Sequence, residues 1–204
     1  MKNTGTFIII ALLLGFANLA LASGRVALSV KAIDQTTFEL SLENPKRSEV
    51  QVSLKDLSGI SLHEGVYSQS EINLEFHLKA LPLGSYVLVL KYEGLIQMQP
   101  ISIRHDSLLI EPGQGEIIFP PQIDLSVGYL DIRMNCPESL SAYLEIRDED
   151  GHVLYRRSAR SKGEVQKRFN LKRLEKGEYQ IALEIRDAVL EHRYTELISL
   201  SSEN

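Results

Sequence analysis

Along Phe38 to Glu43 and again along Val50 to Lys55, apolar and polar residues alternate one for one. Phe38, Leu40 and Leu42 stand against Glu39, Ser41 and Glu43; Val50, Val52 and Leu54 stand against Gln51, Ser53 and Lys55. A period of two gathers the apolar groups on one face of an extended chain, which predicts half-buried β-strands. The pattern returns with Leu130, Ile132 and Met134 against Asp131, Arg133 and Asn135, and with Ala142, Leu144 and Ile146 against Tyr143, Glu145 and Arg147. Tyr179, Ile181, Leu183 and Ile185 alternate in the same way, whereas Tyr86 to Leu90 is apolar on both faces. That strand is expected to be covered from both sides, the second cover being a sister domain. Asp56-Leu-Ser-Gly59 and Asp148-Glu-Asp-Gly151 end in the residue that tolerates positive φ, so each predicts a tight turn between strands. No stretch carries a sustained helical stripe.

These patterns occur twice. Residues 36 to 62 align with 128 to 154 without a gap at an offset of 92, and the offset then becomes 93. Across the next 16 positions, Glu71, Phe76, Leu78, Lys79, Leu81, Gly84 and Tyr86 meet Glu164, Phe169, Leu171, Lys172, Leu174, Gly177 and Tyr179. Seven identities at one spacing point to a doubled module. Short strands 8 to 12 residues apart, about seven per copy, predict an all-β chain of two tandem immunoglobulin-like antiparallel sandwiches, each collapsing independently. The expected boundaries are 23–105 for the first sandwich, 106–117 for a linker rich in Pro and Gly, and 118–204 for the second. The shared form Leu-x-x-Gly-x-Tyr predicts that Tyr86 and Tyr179 form structural tyrosine corners, the ring in the core and the hydroxyl tying the preceding turn.

The segment before the first strand changes the compartment. Met1-Lys2-Asn3, an apolar run from Phe7 to Ala20 and the exit Ala20-Leu21-Ala22 before Ser23 read as a cleavable signal peptide, with cleavage between Ala22 and Ser23. The run is shorter than the ~20 residues that span a bilayer, so no transmembrane segment is expected in the mature chain. An exported protein follows, periplasmic, cell-surface or extracellular. The chain has 204 residues, 22 Lys plus Arg against 27 Asp plus Glu, and a net charge of -5. With a single cysteine, Cys136, no internal disulfide can form. Cys136-Pro137 falls where the first copy has Asn44-Pro45, so it is expected to be a tolerated small residue rather than a nucleophile.

Catalytic chemistry has no visible constellation: there is no nucleophile elbow, phosphate loop or dinucleotide fingerprint. The five His residues lack the paired spacing of a metal site. Asp148-Glu-Asp150-Gly151 resembles the start of a calcium loop but lacks its later ligands, so a hairpin turn is the expectation. No enzyme activity, metal or cofactor is therefore predicted. One charge feature breaks the repeat. Basic residues crowd Arg156 to Lys176, and Arg156, Arg157, Arg160, Lys162, Lys167, Arg168, Lys172 and Arg173 form a candidate anion-binding patch. The competing reading is a solvated hairpin that protects an edge strand. An envelope protein or an anionic polysaccharide is the expected partner; export and negative charge disfavour nucleic acid.

Ile118-Phe-Pro-Pro121 opening a strand, Leu144-Glu-Ile-Arg-Asp148, Gly151, Leu174-Glu-Lys-Gly-Glu-Tyr179 and a closing strand near Leu197 form a further pattern. Over roughly 85 residues the second copy thereby resembles the C-terminal sorting domain of the Por, or type IX, secretion system. That resemblance implies a small β-sandwich and, as an alternative function, a sorting or assembly role in export and surface attachment. The sequence reading that stands first is an exported, non-catalytic binding or structural module of the cell envelope or surface.

Overall fold

The computed structural model describes residues 27–111, 114–137, 140–159 and 163–201. The expected signal peptide with Ala22 and Ser23, and Arg160 and Lys162 of the basic run, lie outside the described residues. Among the described residues the chain is all-β, with every strand pair antiparallel.

The first sandwich is built from β1 (Ala27–Ala32), β2 (Thr37–Glu43), β3 (Val50–Asp56), β4 (Ser61–Tyr67), β5 (Glu71–His77), β6 (Gly84–Tyr92) and β7 (Leu95–Ile103). Two short strands follow, β8 (Leu108–Leu109) and β9 (Glu116–Ile118). The second sandwich comprises β10 (Gln122–Ser126), β11 (Tyr129–Cys136), β12 (Ser141–Arg147), β13 (Val153–Ala159), β14 (Gly163–Asn170), β15 (Gly177–Arg186) and β16 (Glu191–Leu200). Sheet orders β1-β2-β5 and β4-β3-β6-β7 in the first match β10-β11-β14 and β13-β12-β15-β16 in the second. The doubled sequence thus folds into two tandem immunoglobulin-like sandwiches of one topology.

Each apolar alternation faces inward. Phe38, Leu40 and Leu42 from one sheet meet Val52, Leu54, Leu88 and Leu90 from the other in the first core. Leu130, Ile132 and Met134 meet Leu144, Ile146, Ile181 and Leu183 in the second. The turns repeat as well. Gly59 and Gly151 have φ of 87° and 82°, and each donates its N–H, at 3.0 Å, to the carbonyl of the Asp three residues earlier, Asp56 or Asp148.

The two sandwiches pack against each other. Val89, Ile96 and Met98, on the outer face of the first long sheet, together with Ile118 of β9, belong to the second sandwich's core cluster. At roughly 1.5–3 kcal/mol for each fully buried apolar side chain, these four make the junction a substantial part of the fold. The doubly apolar run Tyr86 to Leu90 has its explanation here: Leu88 and Leu90 face the first core, while Val89 faces the second. The joining segment is also strand-paired. Leu108 and Leu109 lie against Ile103 and Ser102, and Glu116 to Ile118 lie against Met98 to Ile96. Asn135 fastens it to the second sandwich, donating Nδ2–H to the Ile117 carbonyl at 2.8 Å and accepting the Phe119 N–H at 3.0 Å.

One hairpin differs between the copies and builds the rest of the junction. β6 and β7 are joined by Glu93-Gly94, with φ of 47° and 75°, the two positive values of a type I′ turn. β15 and β16 are joined by the longer Asp187 to Leu190, whose Asp187 Oδ1 accepts the Val189 and Leu190 N–H groups at 2.8 and 2.7 Å. This longer turn reaches the first sandwich. A Cβ on Gly59 would strike the Ala188 carbonyl oxygen. Lys55 donates to the Val189 carbonyl at 3.3 Å, Lys91 to the Glu191 carbonyl at 3.1 Å, and Tyr194 Oη to the Gly94 carbonyl at 2.8 Å.

Candidate functional site

Strand register defines which outward residues share a row. Across the long sheet of the second sandwich one row reads Arg156, Glu145, Ala182 and Thr195, and the next reads Ser158, Tyr143, Glu184 and Arg193. Ala182 is small enough to leave a floor, and a cleft of about 160 Å³ lies above it, lined by Tyr143, Glu145, Arg156, Glu184, Arg186 and Arg193.

Glu145 organises this face. Its side chain is 9% exposed, and three guanidinium groups converge on it. Arg147 Nε donates to Oε1 at 2.6 Å, Arg193 Nη2 donates to the same oxygen at 3.2 Å, and Arg156 Nε lies 3.3 Å from Oε2. The Arg147 hydrogen bond, ahead of the Coulombic pull of Arg147, Arg156 and Arg193, holds the Glu145 carboxyl below the usual carboxylate range. A guanidinium carries five N–H donors. Arg156 and Arg193, with side chains 69% and 46% exposed, each bring one nitrogen to Glu145. Beside them Arg186 stacks over the Tyr143 ring, 4.5 Å from its centroid, and pairs with Glu184 at 3.3 Å. Three cations held around one buried carboxylate leave an excess of positive charge with fixed geometry, suited to a carboxylate or another oxyanion.

The six described residues of the sequence-predicted basic patch are not gathered on this face. Successive residues in a strand point to opposite sides, so Arg156 joins Glu145 outside while Arg157 turns the other way. Lys167 and Arg168 are split in the same manner. Arg168 forks onto Asp131 with two bonds of 2.7 Å on the outer face of the three-stranded sheet, and that fork keeps the half-buried Asp131 carboxyl below its ordinary range. Lys172 sits 5.0 Å from the Tyr129 ring centroid. Arg173 lines a separate cleft of about 250 Å³ beside Asp148, Glu149 and Asp150. Sequence reasoning missed Glu145, Arg147, Arg186 and Arg193. Glu145 and Arg193 are 48 positions apart, so only the strand register brings them together.

The remaining singled-out residues have local explanations. Tyr86 Oη donates to the Pro82 carbonyl and Tyr179 Oη to the Glu175 carbonyl, both at 2.8 Å and both four residues back. Burial pushes the Cys136 thiol up, with Glu116 adding to it, which disfavours the thiolate. Its counterpart Asn44 is also buried but ties its loop by accepting the Ser48 N–H at 3.2 Å and donating to the Ser48 carbonyl at 2.8 Å. Asp148, Asp150 and His152 bring ligand-type atoms within 4.8 Å of one another. The turn itself accounts for this cluster: Asp148 Oδ1 accepts the His152 N–H at 2.8 Å, as Asp56 Oδ1 accepts the Ile60 N–H at 2.9 Å in the first copy.

No family model and no curated protein matches the chain. Among solved structures it is similar to the BSP domain of a biofilm associated protein, with a TM-score of 0.27 and 12% identity over 86% of this chain and 29% of that one. It is also similar to the chicken interferon gamma receptor alpha chain, at 0.29 and 13% over 87% and 99% of the two chains. The ligand-binding domain of human OSCAR gives 0.27 and 15% over 86% and 97%. With identities and scores this low, the architecture is read from the chain's own strand order.

Proposed function

We propose that the protein is an exported, non-catalytic binding module of the cell envelope or surface, working through the outer face of the second sandwich's long sheet. The observation that carries this reading is the arginine cluster around Glu145: an ordered, exposed set of cationic forks that the doubled topology presents on only one of its two copies. In the matching row of the first sandwich, Glu64, Ser53, Val89 and Met98, Val89 and Met98 hold the two sandwiches together. A partner that carries carboxylate or other oxyanion groups, on an envelope protein or an anionic polysaccharide, fits such a face. The test is cell fractionation followed by affinity capture with the processed chain, in parallel with an Arg156→Ser/Arg193→Ser variant. Retention of an envelope component by the parent chain and its loss by the variant is the expected result; equal retention by both rejects the face as the binding surface.

A sorting or assembly role in type IX export rests on the sequence resemblance of the second copy. Appending residues 115–204 to a periplasmic reporter tests it: surface delivery supports the role, and retention in the periplasm removes it.

A further inference from the structure

The proposed binding face has a counterpart of opposite sign elsewhere on the same chain. On the outer face of the β1-β2-β5 sheet, Glu39 stands directly opposite Glu75, and Glu43 directly opposite Glu71. All four are exposed. Like charges paired across strands destabilise a sheet, and little on this face compensates them. Lys31 lies opposite Glu39, His77 sits 3.6 Å from Glu75, and Glu39, Glu43 and Glu71 have no ion pair among the described residues. The equivalent sheet of the second sandwich is balanced: Arg133 pairs with Asp124 at 2.9 Å and Arg168 with Asp131 at 2.7 Å. The acidic sheet of sandwich 1 thus faces a smaller opposite: at the centre of sandwich 2's long sheet Arg147, Arg156 and Arg193 surround the single Glu145, while toward the rim Glu184 and Glu191 offset Arg186.

From this complementarity we infer that the arginine face of one chain docks the glutamate face of a second copy, head to tail. The inference rests on the arginine face being a binding surface and names its occupant. Arg156 and Arg193 donate to the carboxylates of the Glu39 to Glu75 and Glu43 to Glu71 rows, so carboxylates that repel one another within one chain gain cations from the next. Because the two surfaces differ, the contact is heterologous and propagates rather than closing into a pair. Three strands about 4.8 Å apart, of six, seven and seven residues at about 3.4 Å each, offer only roughly 330 Å² on the glutamate face. That is below the ~800 Å² per partner of a standard interface, so association is weak, concentration-dependent and screened by salt.

Sedimentation velocity on the purified, processed chain at several hundred micromolar tests the inference, in about 20 mM and about 500 mM salt. The expected result is an average mass that rises with concentration in low salt and falls to the monomer in high salt. Two charge-reversed chains sharpen it, Glu39→Lys/Glu71→Lys and Arg156→Glu/Arg193→Glu. Each alone should be monomeric, and an equimolar mixture should recover association through the unaltered face of each chain. The glutamate variant removes only exposed, unpaired carboxylates, so it remains folded and informative even where the arginine variant does not. A chain that stays monomeric at every salt concentration overturns the inference, as does association that neither variant weakens. Retention of a monomeric chain on immobilised polygalacturonate through Arg156 and Arg193 also overturns it, while leaving the proposed binding function intact.

Discussion

At the centre of its long sheet, sandwich 1 places Ser53, Val89 and Met98 where sandwich 2 places Glu145, Ala182 and Thr195. The strands, their order and the turn that follows β3 or β12 are the same, yet one face is apolar and sealed by its sister while the other is charged and open. The edge strands differ in parallel. β7 pairs with β6 on one side and with β8 and β9 on the other, whereas β16 pairs with β15 alone among the described residues. Inward positions of a doubled sandwich are held by the same requirement, to fill a core. Outward positions carry no such requirement, so the copies diverge there and their uses separate.

The largest effect should come from placing a charge at the two equivalent central positions. Val89→Asp buries a carboxylate in the junction and should cost roughly 3–5 kcal/mol in urea unfolding. Ala182→Asp sets the same carboxylate beside Arg156 and Arg193 but opposite Glu145 and should cost only about 1–2 kcal/mol; equal losses would erase the distinction between the faces. Glycine substitutions probe the turns. Gly59→Ala and Gly151→Ala both incur about 1 kcal/mol for positive φ, but only the Gly59 Cβ strikes a neighbouring carbonyl, whereas nothing lies within 4 Å at Gly151. Gly59→Ala should therefore destabilise by about twice as much, and matching melting temperatures for the two variants would show that Asp187 to Leu190 does not rest there.

A smaller effect is expected at Glu145. Glu145→Gln takes a charged acceptor from three arginines and should lower stability by about 1–2 kcal/mol, while Ser53→Ala, its counterpart, should stay within about 0.5 kcal/mol. Because Glu145 titrates below its ordinary value, its contribution is present above pH ~4.3 and fades as pH falls through the lowered folded value. The glutamine variant should accordingly show a shallower acid dependence of melting temperature. The smallest effect is at the junction's phenol. Burial pushes Tyr194 up to about 12, so its neutral form favours the folded state, and that contribution is lost as pH rises from about 10 towards 12. Ultraviolet titration should show a late-ionising fraction, to which the raised Tyr179 also contributes, that shrinks by one tyrosine in Tyr194→Phe; an unchanged titration curve would contradict this placement.

What the sequence reveals divides by distance along the chain. Alternation, the Asp56 and Asp148 turns and the repeat itself depend on residues close together, so they can be read directly. The run Tyr86 to Leu90 also discloses a second cover, because an exposed Val89 would break the alternation that its neighbours keep. The arginine cluster is illegible for a different reason. Arg147, Arg156, Arg186 and Arg193 come from four strands; the period of two sets Arg147 beside Glu145, but no spacing rule gives the register that brings Arg156 and Arg193 onto it. The conspicuous basic run misleads for a related reason: a dense stretch of charge in an extended chain is divided between two faces by the strand's own period.

Thiol labelling most directly tests whether one doubled face is sealed and the other open. Met98→Cys and Thr195→Cys occupy matching outward positions, in a Cys136→Ala background that removes the only native thiol. Thr195→Cys should react with an aqueous thiol reagent nearly as fast as a free cysteine, and Met98→Cys should react orders of magnitude more slowly until the protein unfolds. Comparable rates at the two positions would contradict the account.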